Sequence, residues 1–234
     1  MCIRDRVRND RIAWGASMIA CKDADAMVTG NIRHYTASIE KLKKVVDPRP
    51  GEEIFGMTMI NSKGKTILVA DTNVQDFPTA QRLVNVSKSC VRVARLFGFD
   101  PKVAFLSHST FGKPISKNTK HVRDAIELWI KEKVDFDFDG EMQPDVALNP
   151  IYQEIYPFSK IVGKANILIM PALHSAAIST KLMKSFGGAK LIGPLLIGLD
   201  LPIEVAPLRS STSDILNLAS IAAYSSDVID YNQT

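Results

Sequence analysis

The apolar positions change period along the chain, and each change predicts an element. Ala165–Met170 is a short, almost wholly apolar run set between Gly163 and Pro171. Such a run predicts a strand buried on both faces, as in a parallel sheet. From Ile178 the period becomes four: Ile178, Leu182 and Phe186 share one helical face, and Gly187-Gly188 ends that helix. Leu191–Leu199 is apolar again, so this stretch reads strand, helix, strand. Thr119–Lys133 is the clearest helix, with Val122, Ala125, Ile126, Trp129 and Ile130 at helical spacing. Thr79–Phe97 predicts another, with Leu83, Val86, Cys90, Val91, Ala94 and Phe97 turned inward. Lys102–Leu106 is a strand running into Ser107-His-Ser-Thr-Phe-Gly.

The remaining elements are shorter. Ile12–Cys21 reads as a helix, and the segment from Asp25 to Asn31 as a short strand ending at glycine. Tyr35–Val46 is amphipathic through Ile39, Leu42 and Val46, and Asp47-Pro-Arg-Pro-Gly terminates it. Glu53–Ile60 and Lys65–Ala70 flank Asn61-Ser-Lys-Gly, which predicts a hairpin or tight reversal. Phe136–Gly140 reads as a brief strand, Glu141–Asn149 as a short helix and Ile151–Ile161 as a loop. The last helix is Asp214–Ser225, with Ile215, Leu218, Ala219 and Ala222 on one face and a polar tail beyond it. This alternation predicts an α/β fold with a mainly parallel sheet. Parallel sheets present ligands at the carboxyl ends of their strands. Here those ends include Pro171–Ser175 and Asp200–Ser213.

Composition narrows the function classes. Of 234 residues, 46% are apolar and 23% charged, as in ordinary globular proteins. No apolar run approaches the roughly 20 residues that span a bilayer, so no membrane role is expected. The net charge is +4, small and dispersed, which does not favour nucleic acid but suits an anionic coenzyme. Cys2, Cys21 and Cys90 lack metal-ligand spacing and suggest free thiols in a reducing cytoplasm. Met1-Cys-Ile-Arg-Asp-Arg fits no signal peptide and reads as a few non-native residues before a truncated frame.

Four groups of residues are candidates for chemistry. Arg209, Ser210, Ser211 and Thr212 precede Asp214 at the start of the last helix. Free N–H groups and the helix dipole favour an anion there, and Arg209 offers a forked donor. The same Ser211-x-x-Asp214 spacing is also a capping pattern that merely starts a helix. Ser107, Ser109 and Thr110 form a hydroxyl-rich strand end, suited to phosphate or amide groups or to turn capping. Lys181 and Lys184 share a helical face and suit either phosphates or solvent. Asp139, Glu141 and Asp145 form a carboxylate cluster, expected to cap a turn or pair with a base. His121 is expected at the surface, and His174 in a strand-end loop.

Several ordered motifs resemble the phosphate acetyl/butyryl transferase family. They are Asp139-Gly-Glu-Met-Gln-Pro-Asp-Val-Ala-Leu, Gly163-Lys-Ala-Asn-Ile-Leu-Ile-Met-Pro-Ala-Leu and Gly193-Pro-Leu-Leu-Ile-Gly-Leu. Asn149-Pro150, His174-Ser-Ala-Ala-Ile-Ser-Thr-Lys and Gly198-Leu-Asp-Leu-Pro look most like the C-terminal domain of bacterial NADP-dependent malic enzymes. The resemblance spans about Val7 to Tyr224. It implies two α/β/α subdomains with mainly parallel sheets and a cleft between them, isocitrate/isopropylmalate dehydrogenase-like. Residues 1–50 and 193–234 would form an incomplete first subdomain, and 51–192 the second. It adds Lys164 and Asn166 to the cleft and makes Asp214 the base that deprotonates the coenzyme A thiol. It implies acetyl-CoA or a related acyl-CoA and phosphate as ligands, no metal, no covalent cofactor and a homo-oligomer. NADP and a divalent metal would belong to a malic-enzyme part absent here. The family's serine-arginine pair falls on Pro207-Leu208, which lack its donors. Three functions follow: an acetyl-CoA-binding regulatory and oligomerisation domain, a working phosphate acetyltransferase, or a purely structural oligomerisation module.

Overall fold

The computed structural model describes residues 7–70 and 77–231. The expected non-native start, Met1–Arg6, and Cys2 with it, lie outside that range. The chain divides into two compact units, residues 1–54 with 192–234 and residues 55–191.

The second unit is built on a sheet of β2 (Phe55–Ser62), β3 (Lys65–Ala70), β4 (Lys102–Leu106), β5 (Asp137–Met142) and β6 (Ile167–Ile169), in the order β5-β4-β6-β3-β2; β7 (Lys190–Ile197) follows along the chain. β2 and β3 form the expected antiparallel hairpin. β3, β6, β4 and β5 then run parallel to their neighbours. β6 is flanked on both sides, and Ile167, Leu168 and Ile169 are all buried, which explains its unbroken apolar sequence. Each such side chain contributes on the order of 1.5–3 kcal/mol by leaving water. The fold class is therefore α/β with mainly parallel sheets.

In this unit's helices, most expected apolar stripes face inward and one does not. The helix Ala80–Leu96 buries Leu83, Val86, Cys90, Val91 and Ala94. Lys120–Glu132 buries Val122, Ala125, Ile126 and Trp129, while Ile130 stays 50% exposed. The Trp129 indole N–H donates to Ser87 Oγ at 2.7 Å, so its one polar atom is satisfied in the core. The helix Leu173–Ser185 inverts the expectation. Ile178, Leu182 and Phe186 are 59%, 60% and 97% exposed, whereas Ala176 and Thr180 are buried and Met183 packs against the core. Periodicity identifies a face but not which of two faces meets the sheet. Here the small residues do, and they let the helix approach closely.

Boundaries shift at a few points. β5 runs on to Met142, and the following helix is only Pro144–Leu148, opened by proline at its first turn. Pro150–Gln153 forms a further short helix inside the expected loop. His121, expected at the surface, is half-buried, and its Nε2 lies 2.9 Å from the Pro171 carbonyl.

The first unit is built on two parallel strands, β1 (Met27–Gly30) and β8 (Ile203–Ala206), with register Met27 to Ile203 through Gly30 to Ala206. The helices α1 (Arg11–Ala20), α2 (Tyr35–Leu42) and α8 (Thr212–Tyr231) accompany them, the last numbered after those of the second unit. Leu218 and Ala222 of α8 are buried as expected. Gly30 is obligatory: its φ is +105°, and a Cβ there would meet the Ala206 carbonyl oxygen at 2.2 Å.

Glu204 of β8 is the unexpected core residue. It is buried, and its Oε2 accepts the Leu196 N–H at 2.9 Å. Burial pushes its carboxyl from 4.5 up to about 8, although that backbone bond pulls the other way. The folded chain therefore holds a proton that the unfolded chain has released above about pH 4.5. Stability contributed by this group is full below that pH and is lost as pH rises through about 8. Glu204→Gln keeps an acceptor for Leu196 and removes the titration. Urea unfolding at about pH 5 and about pH 8 is expected to show a smaller fall in stability for the variant than for the parent. A parallel fall in both proteins would place the pH dependence elsewhere.

Candidate functional site

After β8 the chain turns through Pro207–Ser211 into α8. The Pro207 carbonyl accepts from the Ser210 N–H at 3.2 Å and from Ser210 Oγ at 2.8 Å. Arg209 takes a left-handed φ of 61°, and its N–H donates to the Asn31 carbonyl at 3.1 Å. Its guanidinium is exposed and has no ion pair among the described residues. Ser211 and Asp214 cap the helix reciprocally: Asp214 N–H donates to Ser211 Oγ at 3.2 Å, and Ser211 N–H donates to Asp214 Oδ2 at 3.0 Å. Ser211 Oγ also lies 2.8 Å from that oxygen. The capping alternative raised by the spacing is thus realised, and Thr212 opens the helix with its side chain exposed.

At the carboxyl end of β4 the hydroxyls turn inward. Ser109 Oγ donates to Glu141 Oε1 at 2.6 Å. Its single hydrogen is thereby used, so Ser107 must be the donor across the 3.1 Å between Oγ atoms. Arg123 completes the network, with Nη1 at 3.1 and 3.2 Å from the two Glu141 oxygens. Thr110 Oγ1 accepts the Gln143 N–H at 3.2 Å. Ser107, Ser109 and Thr110 are all buried. Of the carboxylate cluster, Glu141 pairs with a base, Arg123, as expected, while Asp139 accepts the Lys160 N–H at 2.7 Å and Asp145 the Val146 N–H at 3.0 Å. Among the described residues no cluster of His, Cys, Asp or Glu could hold a metal ion.

Lys164 and Asn166 lie at the opposite, amino-terminal end of the strands of the same sheet. Asn166 Oδ1 accepts the Lys102 N–H at 2.8 Å, and its Nδ2 donates to the Asp100 carbonyl at 2.7 Å. Both bonds staple the amino ends of β4 and β6. Lys164 is exposed, and the neighbouring ammonium of Lys65, which begins β3, lowers its pKa. One strand length, about 15 Å, separates this end from Ser107–Thr110. The structure therefore does not gather these residues into one site. Lys181 and Lys184 are exposed on the helix Leu173–Ser185, beside its apolar stripe, without an ion pair among the described residues. His174 is exposed, with its ring 5.7 Å from that of Phe77.

Sequence reasoning missed a pocket of about 320 Å³ in the first unit, at the carboxyl ends of β1 and β8. Arg11, Asn31, Arg33 and Ile215 are among its lining residues. The only signal pointing there was the short strand ending at glycine, because the lining comes from four separate segments of the chain.

Ligand-facing loops at the carboxyl ends of parallel strands define an open α/β protein. A family model described as phosphate acetyl/butaryl transferase matches residues 2–223, and the chain belongs to that family. An NADP-dependent malic enzyme from Rhizobium meliloti (strain 1021) is 44% identical over 218 residues, which are 93% of this chain and 29% of the relative. A phosphate acetyltransferase from Bacillus subtilis (strain 168) is 28% identical over 92% of this chain and 67% of its own length. A crystal structure of a phosphotransacetylase from Streptococcus pyogenes superposes with a TM-score of 0.84 at 30% identity, covering 92% of this chain and 67% of that one. The chain spans less than a third of the malic-enzyme relatives.

Asn166→Ala should weaken the second unit by about 2 kcal/mol, because two backbone groups lose their partner at a strand start. Urea denaturation checks this. An unchanged midpoint would remove the staple role.

Proposed function

We propose that the chain is a phosphotransacetylase-like, acetyl-CoA-binding regulatory and oligomerisation domain of an NADP-dependent malic enzyme. Oxidative decarboxylation of malate, with its NADP and divalent metal, would fall to the part of the protein outside this match. The observation that carries the reading is the loop after β8. Pro207-Leu208 stands where the family carries a serine-arginine pair, and Asp214 already spends an oxygen on Ser211. Proline has no N–H and leucine no donor, and each lost oxyanion donor typically costs on the order of 10²–10³ in rate. Binding survives such a loss, because exposed Arg209 and the start of a long helix still suit the phosphates of coenzyme A. The proposal includes an isocitrate/isopropylmalate dehydrogenase-like pair of subdomains and a cytoplasmic location.

Regulation follows from linkage: acetyl-CoA must bind one assembly state more tightly than another. The exposed apolar stripe Ile178, Leu182 and Phe186 supports the oligomerisation half of the proposal.

Calorimetric titration with acetyl-CoA is expected to give saturable heat, and adding phosphate should release no free coenzyme A. Sustained coenzyme release would instead identify a working phosphate acetyltransferase with Asp214 as its base. Absence of any heat would leave the structural module. Leu182→Glu combined with Phe186→Glu should shift the protein to a smaller species in light scattering, with its circular dichroism unchanged. An unaltered mass would dissociate this face from assembly.

A further inference from the structure

Lysines from three segments meet at the amino end of the second unit's parallel strands. Leu68 of β3 pairs with Ile167 of β6, and the Leu68 N–H donates to the Asn166 carbonyl at 2.8 Å. Carried three residues back, this register sets Lys65, the first residue of β3, beside Lys164. On the other flank of β6, Val103 pairs with Ile167, which brings in Lys102, the first residue of β4. Lys102 Nζ donates to the Val162 carbonyl at 2.6 Å, two residues before Lys164. Lys164 is thus set between two other lysines. Both Lys65 and Lys164 are exposed, and neither makes an ion pair among the described residues. Asp100, before β4, meets this end through its backbone carbonyl, which accepts from Asn166. Like charges on adjoining strands repel one another. That repulsion favours the neutral amine of Lys164, the form of lysine that attacks carbonyl carbon.

We propose that Lys164 is a site of N-acylation whose donor is a small acyl phosphate. The donor's phosphate rests against the Lys65 ammonium, which brings its carbonyl within reach of Lys164 Nζ. An anionic donor is selected because the surrounding side chains are cationic and unpaired. The neutral amine adds to the carbonyl carbon, a C–N bond forms, and the C–O bond to phosphate breaks. Phosphate leaves with the bonding pair, and the proton lost by nitrogen passes to water. The products are Nε-acyl-lysine and inorganic phosphate. Acylation removes one of the crowded charges, so the product is no longer repelled by Lys65. The modification needs no acetyl-CoA and goes beyond the coenzyme-binding role.

Incubation of the whole chain with acetyl phosphate at about pH 8, isotopic capping of the unreacted lysines and peptide mass spectrometry give the initial rate at each lysine. Lys164 should acetylate about fivefold or more faster than Lys22 and Lys190, which are exposed and make no ion pair among the described residues. Lys65→Ala should bring Lys164 down to their rate. Lys65→Arg, which keeps the charge, should preserve most of the advantage. Phenyl acetate, an uncharged donor, should favour Lys164 less than acetyl phosphate does. Equal rates at Lys164, Lys22 and Lys190 with acetyl phosphate overturn the site. An advantage that survives Lys65→Ala overturns the role of Lys65, and an equal advantage with phenyl acetate overturns docking of the phosphate. The rates are read without acetyl-CoA, so they stand or fall apart from the coenzyme titration.

Discussion

The second unit depends on one three-residue strand. β6 is hydrogen-bonded on both sides, so β3 and β4 keep their places only while it keeps its register. Apolar burial alone would set that register poorly, because neighbouring apolar residues can exchange places. Asn166 supplies the missing specification. Its amide bonds the backbone of Asp100 and Lys102, so the start of β6 is fixed against the start of β4. The Gly-Lys-Ala-Asn motif thus has a structural explanation that requires no ligand.

Fixing the amino ends also fixes what the carboxyl ends can present. At the end of β4 the hydroxyls serve a buried ion pair, and the chain Ser107 to Ser109 to Glu141 to Arg123 has assigned donors throughout. An unpaired Glu141 would be costly in that place, which explains why three polar side chains lie inside the protein. Polar groups that are free to meet a ligand lie instead around the first unit's strand ends. Arg209, Asn31 and the start of α8 are drawn together there by the bond from the Arg209 N–H to the Asn31 carbonyl.

Much of this fold was legible in the sequence. β6 announced itself by its apolar run, the Lys120–Glu132 helix by its spacing, and the β2–β3 reversal by its turn residues. The orientation of the Leu173–Ser185 helix was not, because Ile178, Leu182 and Phe186 outweigh Ala176 and Thr180 in any hydrophobic count. The candidate site was legible only in part. The Ser211-x-x-Asp214 spacing foretold the cap, yet nothing local told that Ser109 points inward to Glu141, 32 residues away. The pocket of Arg11 and Arg33 was invisible because parallel pairing of β1 with β8 joins distant segments.

The reciprocal bond between Ser211 and Asp214 has an evolutionary consequence. An aspartate that serves both as a reaction base and as the peg of a helix is under two separate selective pressures. If the chemistry decays, the peg still holds the residue in place. A residue pinned in this way can outlive any chemistry it once served, so the presence of Asp214 is by itself poor testimony of activity.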